Sequence, residues 1–568
     1  MDLPLTLQAF LLLCSITAAV WACPNGCRCQ NTKVLCQSLS EFPTALPSST
    51  SNIYFSDCTF SSLKPQDTAD FSDALTVFMV KDTALREVLP GVFDSTPNLN
   101  ALGFPGNELK DLPEAFFQNV PQLISLNLRG NKLSVLRPQW FSVLTALKEV
   151  DLSRNLFSSI PVETFQPLTQ LKFLSLSMNN ISQLSPQTFR GLSQMTHLRL
   201  NKNMLEELPI AILDDLVNLA ELSLQDNQIT HLHHELFANN MKLQKLFLSN
   251  NKLTSLPQGI FLNLPFLSQI SLYENQLENL GPGVFGPMAL QQLWLYDNKL
   301  SRIEDDTFKN LTQLRLLVLS RNQISHVSTG AFRGLEQLGE VSLHTNLLRV
   351  LQAGTFQGLP KLVNVSLEHN FLDSLPSGFL KGVSDLGEID LSNNSFPNLP
   401  QESLNALTAA REVLLKQNPW RCDRDILPLR DWLRQYPSKA NQTLVVCDTP
   451  FSLTGEMIAE LTDESLMLLS STEEPVLTST EKRRKPNTPP TSTSSPKVKT
   501  TPTSAHIEVT SCGQGEGGTR SHDPSIMLIA IAVVSTVVIS TVVISCVCWR
   551  RNKRGKGNIG RRNKNSVL

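Results

Sequence analysis

The sequence predicts an α/β solenoid: a horseshoe with about 16 parallel strands on its concave face, disulfide-capped ends and one transmembrane helix. Three observations carry this. Asparagines recur with a period of 24 residues through most of the chain. Cysteines gather just before and just after that stretch. A long uncharged apolar run near the C-terminus is followed at once by basic residues. With 568 residues the chain is too long for one compact domain, and a repeat array accommodates such length. A net charge of −2 and 18% charged residues give no global field suited to nucleic acid.

Residues 1–22 read as a signal peptide. An apolar run precedes Val20-Trp21-Ala22, small at the positions before the cut, although the leading segment has Asp2 and no Lys or Arg. Residues 23–50 form an N-terminal cysteine cap with Cys23, Cys27, Cys29 and Cys36. Disulfides suit a secreted chain; zinc ligation by the same four thiolates is the rival reading.

Residues 51–417 are the array. Asn107, Asn131, Asn155, Asn179, Asn203, Asn227, Asn251 and Asn275 are each 24 apart; Asn298 follows after 23, and Asn322, Asn346, Asn370, Asn394 and Asn418 resume the step. An apolar residue stands three and five positions before each, as in Leu126-x-Leu128-x-x-Asn131. That alternation is a short strand whose leucines turn inward, and the asparagine can bond backbone groups left open where the chain leaves the strand. This is the leucine-rich-repeat period, which neither helical nor heptad spacing reproduces. A bulky apolar residue, usually Phe (Phe93, Phe117, Phe141, Phe165, Phe189, Phe237, Phe261, Phe285, Phe308, Phe332, Phe356), recurs in the second half of the units. Thr83 and Cys58 extend the Asn column backward. Cys58 is read as a filler of that slot rather than a reactive thiol. Sixteen strands at about 4.8 Å give an arc roughly 70–75 Å long.

Residues 418–469 form a C-terminal cap, NPWRCDRDILPLRDWL followed by Cys447. The two caps and the array, with LYEN, GPGVFGPM, LWLYDN, LSRNQIS and LHTN, resemble the extracellular leucine-rich-repeat transmembrane family. The resemblance covers about residues 23–450. It implies pairing of Cys23 with Cys29 and of Cys27 with Cys36, and a cell-surface adhesion role. The C-terminal cap departs from the family form, since Arg424 takes the place of a second cysteine and leaves Cys422 to pair with Cys447.

Residues 470–525 read as a Ser/Thr/Pro-rich stalk, in which Lys482-Arg483-Arg484-Lys485 is a solvated charge run, a protease site or a polyanion patch. Cys512 there is free or links two chains. Residues 526–549 carry no charge and are long enough to span a bilayer with some tilt. The tail, residues 550–568, holds eight Lys or Arg and no acid, which places it inside and the bulk of the chain outside the plasma membrane, a single-pass type I topology. Cys546 and Cys548 are candidate palmitoylation sites. The terminus ending at Leu568 has the form of a PDZ ligand.

No hydrolase, metalloprotease or nucleotide-binding motif appears, so no enzyme activity, cofactor or metal is expected. His231, His233, His234 and Glu235 fall after a ladder asparagine, on a returning loop, and read as solvated. Asn180, Asn310, Asn364, Asn393 and Asn441 begin N-glycosylation sequons; Asn364 occupies a concave-facing strand position where a sugar would obstruct the face.

Residues two, four and six before each ladder asparagine face the concave surface. Most are small or polar, as at Ser125, Asn127 and Ser223. Phe247, Tyr273, Trp294 and Tyr296 break that pattern on three consecutive turns, followed by His344 and the acids Glu340, Glu368, Glu388 and Asp390. Exposed Trp and Tyr clusters mark interface anchors; the competing reading is that the rings cover the sheet by packing on one another. Phe247, Tyr273, Trp294, Tyr296, His344 and Glu368 are therefore the expected ligand-binding residues, for a protein or matrix partner. The alternative is a structural subunit of a larger receptor complex, working through its convex edges and its membrane helix.

Overall fold

The computed structural model describes residues 23–467 apart from residues 45 and 282. The expected leader, stalk, membrane span and tail lie outside the described residues. Among the described residues no helix is long and apolar enough to cross a membrane.

The described chain is built around one sheet of 18 strands. It opens with an antiparallel hairpin, Cys27–Gln30 with Lys33–Gln37. Every later neighbour is parallel, starting from Asn52–Ser56 laid beside Lys33–Gln37. Removing the two hairpin strands from 18 leaves 16, ending at Ala410–Leu414. Most of these strands have three residues, with the central one buried. The side-chain period of two sends that residue into the core and its neighbours to the open face.

The α/β class expected from the sequence is corrected to a β-solenoid. The returning segments are turns and short extended pieces. Helices Gln401–Leu407, Leu427–Gln435 and Asp463–Met467 stand at the C-terminal end. Prolines explain part of this. Pro113, Pro161, Pro209 and Pro257 enter the returning segments, remove an amide donor and disfavour helix in the residue before them.

Two continuous features tie the turns together. One is a spine of buried phenylalanines: Phe237, Phe261, Phe285 and Phe308 stack at centroid spacings of 6.1, 6.0 and 6.0 Å. Each buried ring contributes about 1.5–3 kcal/mol of apolar transfer. The other is the asparagine ladder. Asn298 Nδ2 donates to the Leu272 and Leu295 carbonyls at 3.0 and 3.1 Å, and its Oδ1 accepts from Leu277 N–H at 3.0 Å. One side chain thus satisfies three buried backbone groups on two successive turns, and the pattern repeats up to Asn418. At the start of the ladder smaller groups suffice. Thr83 Oγ1 donates to the Lys81 carbonyl, and Cys58 lies buried and unpaired with its thiol against the Ser56 carbonyl. Burial pushes that thiol above its ordinary pKa, which disfavours the reactive thiolate.

Immediately before each ladder position the backbone turns left-handed. Asp297, Arg321, Thr345 and His369 have φ of 54°, 54°, 55° and 56°. A non-glycine residue there costs on the order of 1 kcal/mol, and the ladder bonds on either side hold it in place.

Both ends of the core are covered. Cys23–Cys29 and Cys27–Cys36 join the N-terminal cap, and Cys422–Cys447 the C-terminal one. Trp420 stacks on Phe396 at 6.2 Å and seals the last turn. Arg430, nearly buried, is neutralised by Asp431 and Asp463 at 2.9 and 2.6 Å.

Candidate functional site

Strand register explains how a recess arises on the open face. In one row Phe247 pairs with Ser271, and Ser271 with Trp294. The small serine between two large rings leaves a gap two strands wide, about 10 Å. Tyr273 and Tyr296, two residues further along their chains, close one end by stacking face to face, with centroids 4.5 Å apart. The result is a recess of about 300 Å³ lined by Phe247, Gln269, Ser271, Tyr273, Trp294 and Tyr296.

The leucines of the same strand behave oppositely. Leu293 and Leu295 are fully buried, whereas Trp294 and Tyr296 are half-buried. The two tyrosines do pack on each other, so part of the aromatic surface covers its neighbour. The recess nevertheless leaves ring faces open. Burial, together with the charges of Tyr273 and Glu274, pushes the Tyr296 phenol up to about 12, so it stays a neutral hydrogen-bonding group.

The 23-residue step before Asn298 lies beside this recess and does not disturb the register, since Gln269 still pairs with Gln292. The missing residue is absorbed where Gly286 crosses Leu262; a β-carbon there would sit 3.0 Å from the Leu262 Cα.

His344 and Glu368 do not line the recess. They belong to a second feature on the next turns. Glu340, Asn364, Glu388 and Glu412 form one continuous row across four strands, and Asp390 stands beside Glu388 on the same strand. Burial first, then Asp390 and Glu388, raises the Glu368 carboxyl pKa, and one of its oxygens is buried without a partner. Burial first, then Glu412, Asp390 and Glu340, raises that of Glu388. His344 is shifted down by burial, assisted by Arg321 and His369, and so tends to be neutral. Arg321 is held by Asp297 at 2.8 Å.

The sequence reading omitted Gln269, Ser271 and Glu412. Ser271 was legible in principle as a small residue between two aromatic positions of one column. Glu412 sits six before Asn418, at the same column position as Glu388 before Asn394.

On the returning side, His233, His234 and Glu235 bring their ligand atoms within 4.8 Å of one another. His234 and Glu235 are exposed, and His233 Nδ1 already accepts the Glu235 amide proton. Among the sequons, Asn180 and Asn441 are exposed. Asn310 is half-buried and bonds the Phe285 carbonyl, and Asn393 is half-buried with its amide 2.6 Å from His369 Nδ1. Asn364 is half-buried within the acidic row.

The leucine-rich-repeat family model matches six overlapping stretches, residues 97–157, 145–205, 195–253, 217–277, 241–300 and 288–348. Human leucine-rich repeat-containing protein 15 is 48% identical over 42 residues, 7% of each chain. Mouse SLIT and NTRK-like protein 4 is 36% identical over 55 residues, 10% of this chain and 7% of its own. Human platelet glycoprotein Ib beta chain is 38% identical over 58 residues, 10% of this chain and 28% of its own. The matched segments thus span well under two thirds of these relatives. A leucine-rich-repeat protein of Leptospira interrogans superposes with a TM-score of 0.50 at 25% identity, over 70% of this chain and 93% of that one. A chain of the Drosophila Toll–Spatzle complex gives 0.52 at 19% identity, over 78% of this chain and 72% of that one. Repeat period, asparagine ladder and these matches agree: residues 97–348 of this chain are leucine-rich repeats.

Proposed function

We propose that this protein is a single-pass type I receptor or adhesion protein of the plasma membrane that binds a protein ligand, such as a matrix component, through its concave face. The observation that carries this reading is the recess between Phe247 and Trp294 on the open face of the sheet. Half-buried aromatics around a concavity are the usual anchors of a protein interface. Three disulfides suit a chain that matures in the secretory route, and the uncharged residues 526–549 with the basic residues after them supply the anchor. The Leu568 terminus is a candidate PDZ ligand.

The test is Trp294→Ala with Tyr296→Ala in the full chain on cells, scored for adhesion to matrix proteins and for surface level by antibody. Loss of adhesion at normal surface level supports the reading. Unchanged adhesion overturns it and returns the protein to the role of a structural subunit.

A further inference from the structure

The concave face changes character along its length. The recess occupies the turns of Asn251, Asn275 and Asn298. The next turn presents Leu316, Val318 and Ser320. Beyond it come Glu340, Glu368, Glu388, Asp390 and Glu412 on four consecutive strands. None of these five carboxylates takes part in an ion pair among the described residues, although 17 such pairs form elsewhere. The cations nearby are largely committed: Arg321 to Asp297 and Arg411 to Asp385. Lys416, on the last turn, opposes the acids from the edge of the row. The acids instead repel one another, a cost that an isolated receptor carries unless a partner relieves it.

We propose that the partner of this face is a basic protein segment, which seats one large apolar side chain in the recess and lays lysines or arginines along the Glu340–Glu388–Glu412 row. This rests on the concave-face reading above and specifies its ligand. Trp294 and Glu412 lie five strands apart, about 24 Å, a span that about seven extended residues cover. An anionic partner, whether nucleic acid or an acidic peptide, meets unpaired carboxylates. A purely apolar partner leaves the Glu368 oxygen unsatisfied. Asn364 stands between Glu340 and Glu388, so a glycan there would sit in the middle of the row.

The experiment uses the full chain carrying Asn364→Gln, in nanodiscs of neutral lipid. The probes are two peptides of about nine residues, each with one Trp, followed by lysines in one and glutamates in the other. The lysine peptide should bind, weaken steeply as salt is raised, and lose at least about tenfold in affinity when Glu340, Glu388 and Glu412 are changed together to Gln. The glutamate peptide should not bind. A single Glu388→Lys change gives a second variant with the same expected loss, and circular dichroism verifies the fold of both. Equal binding of the lysine peptide to the Gln variant overturns the proposal, as does preference for the glutamate peptide. If either result occurs while Trp294→Ala with Tyr296→Ala still abolishes adhesion, the basic-ligand proposal fails and the concave-face reading stands. If that double change leaves adhesion intact, the concave-face reading itself fails.

Discussion

Tyr273 and Tyr296 lie face to face across adjacent strands, their rings 4.5 Å apart and within 6° of parallel. The pair makes one wall of the recess, and it ties the ionisation of Tyr296 to its neighbour. Tyrosinate absorbance should therefore show a step for Tyr296 near pH 12. Tyr273→Phe removes a neighbouring charge but not the burial, so it should bring that step only part of the way back. Absence of a step near pH 12 would contradict the stacked arrangement.

Ser271 is the floor of the recess: register sets Phe247 and Trp294 two strands apart, and the small serine between them leaves that gap open. Ser271→Leu fills the gap without removing any aromatic ring. Binding should fall as far as it does with Trp294→Ala, while stability falls by about 1 kcal/mol through overpacking. Equilibrium unfolding and an adhesion assay on the same protein separate the two effects. Full adhesion by this variant would mean that the ligand does not enter the recess.

Asn298 satisfies Leu277 N–H and the Leu272 and Leu295 carbonyls in the interior. Asn298→Ala strands all three, at a cost of about 3 kcal/mol in denaturant unfolding. Lys299→Ala, next to it but exposed, should change stability by less than about 0.5 kcal/mol. Similar losses for the two would contradict the ladder as the tie between turns.

The acidic row makes stability depend on pH with an unusual sign. Glu368 and Glu388 have folded pKa values above their unfolded ones, so the folded chain binds more protons in the window just above the ordinary Glu pKa. Stability from these two groups therefore rises as pH falls through that window. His344 acts oppositely. Its folded pKa is lowered, so acidification through its unfolded value near pH 6.5 costs stability. Thermal melts of Glu388→Gln should show a higher midpoint than wild type at neutral pH and a smaller gain on acidification toward pH 5. A lower midpoint at neutral pH would show that Glu388 is held by a favourable contact instead.

Much of this was legible without coordinates. The period of 24, the inward leucines and the asparagine slots determine the parallel stack, because each is a local pattern repeated until its meaning is unambiguous. The same columns placed Phe247, Tyr273, Trp294 and Tyr296 on the open face. The α/β expectation failed in the returning segments, whose apolar spacing fits turns as well as helices, whose prolines disfavour helix and whose form the shared core decides. Which aromatics meet, and that a serine between two of them opens a recess, follows from register between strands 23 or 24 residues apart. His344 and Glu368, expected with the aromatics among the concave-face binding residues, do not line the recess. They share its face, but an intervening turn separates them and they join a row of acids instead. Sequence by itself determined the sheet and which side chains leave it. Tertiary structure alone decided which of those side chains become neighbours, because burial, repulsion and cavity shape depend on distances across the chain rather than along it.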